Sequence, residues 1–208
     1  MSIINQLASS LGRRDEIPNQ ELAKQIASKK DKKTIQELVD NLGNKSKDIQ
    51  NDCIKVLYEI GGQQPALIAD YTKIFVGLLD SKNNRLQWGA MTTLSAVTLV
   101  DPKVVYAALP KILEAADKGS VITRDYAVNI LIDLCSLKPY ADKAFPLLIE
   151  QLLNSPTNQL PMYAEKALPI IHDKNKALFI KTLTSRLDEI EKDTKRIRVE
   201  KVIKKVSG

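Results

Sequence analysis

Apolar side chains recur along this chain at an interval of 37 residues. The column of small residues is Cys53, Ala90, Ala127 and Ala164, and a column of leucines follows it at Leu57, Leu94, Leu131 and Leu168. Three further columns keep the interval: Pro65, Pro102 and Pro139; Leu42, Leu79, Ala116, Leu153 and Ile190; Leu38, Phe75, Ile112 and Ile149. Because self-similarity at a fixed period of this size is the signature of repeat architectures, we predict an array of repeated units.

Each repeat predicts two helices joined by a short turn. Ala127 and Leu131 are four residues apart, which places them on one face of a helix. A proline column, or Gly61-Gly62 in one unit, marks the turn to the next helix. The first helices of the units are predicted near 46–61, 83–99, 121–136, 158–171 and 194–206, and the second helices near 33–43, 66–80, 103–117, 140–154 and 175–191. Two further helices, near 2–11 and 18–29, are expected to precede them.

Prolines at the ends and within the second helices refine this picture. Asp101 and Pro102 are predicted to be the N-cap and the first residue of a helix. Pro110 and Pro146 fall inside predicted second helices, where proline removes a backbone hydrogen bond. Two interpretations stay open: those helices kink, or they begin at the internal proline. The two prolines are 36 residues apart, so these units differ slightly in register.

The pattern around Ala127 resembles the HEAT or armadillo-like repeat. Leu131 follows Ala127 by four residues, Arg124 precedes it by three, and Pro139 lies near the turn. The resemblance covers roughly residues 33–206 and is to a repeat class. It implies an all-α fold, a right-handed α-solenoid of antiparallel helix pairs with about twelve helices. We expect a single domain over 1–208, with N-terminal capping helices in 1–32, repeats in 33–191 and a basic C-terminal capping helix in 192–208.

Residue types that carry catalysis or bind metal are sparse. Cys53 and Cys135 are the only cysteines, 82 residues apart, and both lie in apolar helical stretches, which predicts buried free thiols. His172 is the only histidine and is expected near a helix C-terminus. The sequence has no Gly-rich phosphate loop, nucleophile elbow or metal-ligand spacing. We therefore expect a non-enzymatic protein without cofactor or metal. The N-terminus lacks a secretory pattern and no long apolar run occurs, which favours the cytoplasm.

Positive charge is concentrated at the two ends of the sequence. The net charge is +6; residues 1–34 contribute +3, residues 35–180 contribute −1 and residues 181–208 contribute +4. The predicted second helices mix both signs, which does not suit a phosphate backbone. A candidate basic end patch comprises Lys195, Arg196, Arg198, Lys201, Lys204 and Lys205. It is interpreted as a solvated cap, with an acidic partner or nucleic acid as the alternative ligand. Lys201 and Lys205 occupy columns that hold Ala164 and Leu168 one interval earlier, as expected where a stack ends.

The resemblance implies a protein–protein interaction module or scaffold whose concave face, built from the second helices, holds a partner protein or peptide. Possible partner contacts are the aromatic residues Tyr71, Trp88, Tyr106 and Tyr140. The alternative is a nucleic-acid-binding protein that resembles the HEAT-like alkylpurine DNA glycosylases. These use a catalytic Asp beside aromatic residues in a basic cleft, whereas this sequence has Thr92 four residues after Trp88.

Overall fold

The computed structural model describes residues 2–208, and that part of the chain contains helices and no strand. The α-helices are α1 (Ile17–Lys29), α2 (Lys32–Asp40), α3 (Lys47–Gln63), α4 (Thr72–Leu78), α5 (Asn84–Val97), α6 (Pro102–Ala107), α7 (Leu109–Lys118), α8 (Val121–Ser136), α9 (Ala141–Asn154), α10 (Leu160–Ala167), α11 (Lys176–Ser185) and α12 (Asp193–Ser207). Short 3-10 turns occupy Ile3–Gln6, Asn41–Gly43, Pro65–Leu67, Ala69–Tyr71, Leu168–Ile170 and Leu187–Glu189. The prediction of an all-α repeat of about twelve helices is confirmed.

The 37-residue interval recurs in side-chain hydrogen bonds that join residues 37 positions apart. The Gln64 side chain donates to the Ala27 carbonyl at 3.0 Å, a separation of 37 residues. Lys166 donates to Asn129 Oδ1 at 3.0 Å and Lys195 donates to the Asn158 carbonyl at 2.6 Å, again at a separation of 37 residues. The predicted column of small residues, Cys53, Ala90, Ala127 and Ala164, is fully buried throughout.

Pro110 and Pro146 occupy different positions in their helices. Pro110 is the second residue of α7, where no intrahelical N–H is required, so it starts its helix as one interpretation proposed. Pro146 instead lies within α9, which continues past it. Both Pro146 and Asp142, whose carbonyl loses its partner, are exposed, so water can satisfy that carbonyl. The 37-residue interval places Leu153 in the same column as Leu79 and Ala116. In α9, however, Leu153 is 45% exposed and its neighbour Leu152 is buried instead.

The N-terminal helix predicted over 2–11 is wrong. Ile3–Gln6 forms a 3-10 turn, and the following turn ends at Gly12 with a φ of +69°. Side chains of later helices accept hydrogen bonds from the backbone N–H groups of this segment. The Ala8 N–H donates to Asn19 Oδ1 at 3.0 Å, and the Ser9 N–H donates to Asp52 Oδ2 at 2.8 Å. Tertiary hydrogen bonds therefore replace the local ones that a helix would have used.

Three predicted second helices are interrupted. The segment 66–80 consists of two 3-10 turns and the short helix α4, the segment 103–117 divides into α6 and α7, and the segment 175–191 ends in a separate 3-10 turn. Asp101 does precede α6, with Pro102 as its first residue, but its side chain makes no capping hydrogen bond. A short leading helix before the second helix gives the three-helix form found among armadillo-type repeats.

The chain divides into two compact units, Met1–Ala127 and Val128–Gly208, and the boundary lies within α8. In the first unit α3 is central: it packs against α1, α2 and α5, and α4 packs against α5. In the second unit α12 packs against α10 and α11, and α9 packs against both α10 and α11. Within residues 2–208 no helix has the length and apolar character needed to cross a bilayer.

A buried arginine connects two helices of the second unit. Arg186, directly after α11, is 6% exposed. Its Nη1 donates to the carbonyls of Leu152 and Ser155, both at 2.8 Å, and its Nε and Nη2 donate to Glu189 Oε2 at 2.9 and 2.6 Å. The guanidinium thus satisfies two carbonyl groups at the C-terminal end of α9 that no helical N–H can reach.

We predict that Arg186→Met lowers the free energy of unfolding by about 2–4 kcal/mol, because the buried Ser155 carbonyl loses the guanidinium donor and the Leu152 carbonyl keeps only the Ser155 hydroxyl. Urea denaturation of the full chain measures this change in the free energy of unfolding. The matched control is Arg13→Met: Arg13 pairs with Asp15 on the surface, with both side chains roughly half exposed, and its loss should cost about 0.5 kcal/mol or less. Equal losses for both variants would contradict the role given to Arg186.

A second prediction concerns the end of α1. Lys30 has a φ of +52° and ends the helix in a left-handed conformation, with Asp31 N–H bonded to the Ile26 carbonyl at 3.1 Å. A side chain is unfavourable there, so Lys30→Gly should raise the free energy of unfolding by about 0.5–1 kcal/mol. Lys29→Gly, one residue earlier in helical conformation, should lower it by about 0.5–1 kcal/mol. Thermal and urea unfolding of the two variants measure whether their free energies of unfolding change in opposite directions.

Candidate functional site

The two partly exposed aromatic rings of α3 and α5 lie against each other in the first unit. Adding a Cβ at Gly89 would place it 2.5 Å from Ile54 Cγ1, so the two helices approach closely at this point. Trp88, the residue before that glycine, therefore lies beside Tyr58, with ring centroids 5.6 Å apart and an interplanar angle of 47°. Tilted rings at this distance attract each other beyond the effect of burial alone.

A nearly buried lysine, Lys55, lies next to the Tyr58 ring of this aromatic pair. The Lys55 side chain is 9% exposed, and its Nζ lies 2.7 Å from Glu16 Oε2 and 2.8 Å from Glu59 Oε1. The same Nζ lies 4.8 Å from the centroid of the Tyr58 ring. Burial by itself lowers the pKa of Lys55, but the hydrogen bonds with Glu16 and Glu59 outweigh it and hold the pKa above its usual range. The ammonium group is therefore charged and fixed in place.

Glu16 also joins α1 to α5, since Arg85 Nη1 lies 3.6 Å from Glu16 Oε1. The result is a continuous surface of aromatic and paired charged side chains, which we call the Trp88 surface. Its residues are Glu16, Lys55, Tyr58, Glu59, Arg85 and Trp88. Beside it lies a polar cleft of about 570 Å³ that includes Glu16 and Arg85, together with both acidic and basic side chains of the preceding loop.

The structure also locates the side chains that could bind metal or act as nucleophiles. Residues 2–208 contain no cluster of three His, Cys, Asp or Glu side chains that could hold a metal ion. Burial raises the pKa of the Cys53 and Cys135 thiols to about 12, so both are protonated at neutral pH. Both are free, as predicted, although Cys135 is only partly buried. Burial also raises the pKa of Asp133 to about 6.

His172 lies two residues after the 3-10 turn Leu168–Ile170, near the end of a first helix as expected. It is exposed, and its backbone N–H donates to Asn175 Oδ1 at 2.8 Å. Its Nε2 lies 3.4 Å from Asn175 Nδ2. This places it in the turn that precedes α11, where it lines a cavity of about 220 Å³ together with Cys135.

The four predicted contact residues do not form one cluster. Trp88 is on the α3–α5 side of the first unit, whereas the Tyr71 hydroxyl donates to Gln36 Oε1 on α2 at 2.9 Å. Tyr106 lies near the end of α6, and Tyr140 immediately precedes α9. All four are partly buried. Among them, Trp88 lies beside Tyr58 and near the ion pairs of Lys55.

The predicted basic end patch also divides. Lys195 and Arg196 donate to backbone carbonyls, those of Asn158 and Ile190, and Arg198 forms two hydrogen bonds with Glu165 at 2.8 and 2.6 Å. The Arg198 hydrogen bonds lower the pKa of the Glu165 carboxyl. Lys201, Lys204 and Lys205 are exposed. Three of the six positive charges therefore stabilise the second unit itself.

The sequence pattern missed most of the Trp88 surface. Lys55, Tyr58 and Glu59 are spaced three and four residues apart, a spacing that places them on one helical face. That spacing could have predicted their contact with one another. The sequence gives no sign that Glu16 contacts Lys55, because Glu16 lies 39 residues earlier and outside the repeat.

No protein-family model matches the sequence, and comparison with curated proteins gives no match. Among solved structures, two engineered proteins from the Northeast Structural Genomics Consortium are similar. One is 18% identical with a TM-score of 0.62, covering 99% of this chain and 98% of its own. The other is 19% identical with a TM-score of 0.62, covering 100% of both chains.

A designed armadillo repeat protein in complex with the peptide (KR)4 is 12% identical, with a TM-score of 0.64 and coverage of 99% of both chains. Identities this low establish the fold alone. Together with the confirmed repeat register, these likenesses show that the chain is a helical repeat protein with an armadillo-like or HEAT-like fold.

Proposed function

We propose that this protein is a non-enzymatic interaction module that binds a partner protein or peptide on the Trp88 surface. The observation that carries the proposal is the partly exposed Trp88–Tyr58 pair, fixed by Gly89 on one side and by the Lys55 ion pairs on the other. Aromatic anchors of this kind are enriched among residues that dominate binding energy.

Pre-organisation supports the same conclusion. A partner that packs on Trp88 meets a ring already held by its neighbour, so little side-chain entropy is lost on binding. Glu16 and Glu59 are exposed enough, at 43% and 30% of their side chains, to accept hydrogen bonds while they pair with Lys55. The surface therefore offers an apolar anchor surrounded by polar groups in fixed positions.

This proposed binding surface differs from the one expected from the repeat pattern. The repeat pattern predicted that the partner binds to the second helices. In the first unit the Trp88 surface belongs to α1, α3 and α5, and the second-helix side offers Tyr71, which is hydrogen-bonded to Gln36. The similar designed armadillo repeat protein is in complex with a peptide, and that complex is a precedent for peptide binding by this fold.

We predict that Trp88→Ala weakens binding of peptides selected on the wild-type chain by about 30-fold, the loss typical of a hot-spot residue. A random peptide display library is selected on the full chain, and dissociation constants are measured by fluorescence anisotropy. Because Trp88 is the only tryptophan, a shift of its emission on titration also reports occupancy of this surface directly.

Tyr71→Ala is the matched control, since it removes another partly buried aromatic residue of the first unit outside the Trp88 surface. It should change affinity by less than about threefold. Circular dichroism and urea unfolding verify that both variants fold. Failure to select saturable binders, an unchanged Trp88 emission, or equal losses for the two variants would contradict the proposal.

A further inference from the structure

A second surface with different chemistry lies in the Val128–Gly208 unit. It is a groove of about 370 Å³ between the 3-10 turn after α10, the start of α11 and the last turn of α12. We call it the basic groove. Its lining residues are Leu168, Pro169, Ile171, His172, Asp173, Lys176, Lys205 and Val206.

The floor and the rim of the basic groove differ in character. Leu168, Pro169, Ile171 and Val206 provide apolar surface, and none of them is fully buried. Lys176 on the rim is paired with Asp173, at 2.8 Å between Nζ and Oδ1, so those two charges largely offset each other. Lys205, from the last turn of α12, is exposed. The groove therefore combines apolar surface with an exposed positive charge.

Lys201 extends the positive charge along α12. It lies four residues before Lys205, hence on the same face of the helix one turn earlier. Lys205 lies in the last turn of α12, where it stabilises the negative end of the helix dipole. Lys201 lies outside that turn, and it is exposed at a column where Ala164 is fully buried one repeat earlier.

We propose that the basic groove binds an acidic segment of a partner protein, with an apolar side chain of that segment on the floor and carboxylates beside Lys201 and Lys205. The charge of the groove complements such a segment, because Lys176 and Lys205 against Asp173 leave its lining with a net charge of +1, and exposed Lys201 adds a second positive charge one turn away. A protein segment fits better than nucleic acid, since no Phe, Tyr or Trp lines the groove and His172 offers a single ring on which a base could stack.

This inference is independent of the Trp88 surface. The two surfaces belong to different units and share no residue. Substitutions in one are expected to leave binding at the other unchanged, so either proposal can fail alone.

The probe is a short fluorescein-labelled peptide of Asp and Glu residues around a central Leu-Phe pair, titrated with the full chain and followed by anisotropy. We expect saturable binding that the double variant Lys201→Glu, Lys205→Glu weakens at least about tenfold. Val206→Ser, which removes apolar floor without changing charge, should weaken it about three- to tenfold. Trp88→Ala should have no effect.

Lys181→Glu is the matched control: it reverses an exposed lysine of α11 outside the groove and should change affinity by less than about twofold. Versions of the peptide with Asn and Gln for the acids, or with Ser for the Leu-Phe pair, should each bind at least about tenfold more weakly. No saturable binding, equal losses for Lys181→Glu and the double variant, or tighter binding of a single-stranded oligonucleotide of similar charge would overturn the proposal.

Discussion

The close approach of successive first helices is the constraint on which the rest of this structure depends. Cys53, Ala90 and Ala164 occupy equivalent positions in three repeats, and each is fully buried. A small side chain there allows the next helix to pack directly against its neighbour, and Gly89 brings α5 still closer to α3. Larger residues at this column would push α3 and α5 apart and open voids between them.

The same approach creates the candidate binding surface. Once α3 and α5 are close, the residues that flank the small column on the solvent side must contact each other. Trp88 then lies on Tyr58, and Lys55 beneath them is desolvated enough to require both Glu16 and Glu59 as partners. A packing requirement inside the repeat thus fixes the positions of a group of side chains on its surface.

Equivalent positions of the repeats do not perform equivalent tasks. The position of Lys55 holds Thr92, Asn129 and Lys166 in later repeats, and Lys166 bonds to Asn129 where Lys55 bonds to two carboxylates. The apolar columns preserve the backbone geometry while the exposed positions vary, because only the buried ones are constrained by packing. The two units accordingly differ in surface chemistry: a neutral network of ion pairs in one and an apolar groove with basic rim in the other.

The sequence by itself determined the helical repeat, its period and nearly all of its first helices. These features could be predicted because a helix that buries one face in every repeat has apolar side chains at regular spacings. Tertiary structure decided the rest. The segment 2–11 forms a 3-10 turn and a second turn in place of an α-helix, since Asn19 and Asp52 accept hydrogen bonds from its N–H groups. Pro146 stays inside α9 since its surroundings are exposed to water. The contact of Glu16 with Lys55 required the fold itself, because a charge pair between a non-repeating loop and a repeat helix leaves no periodic trace in the sequence.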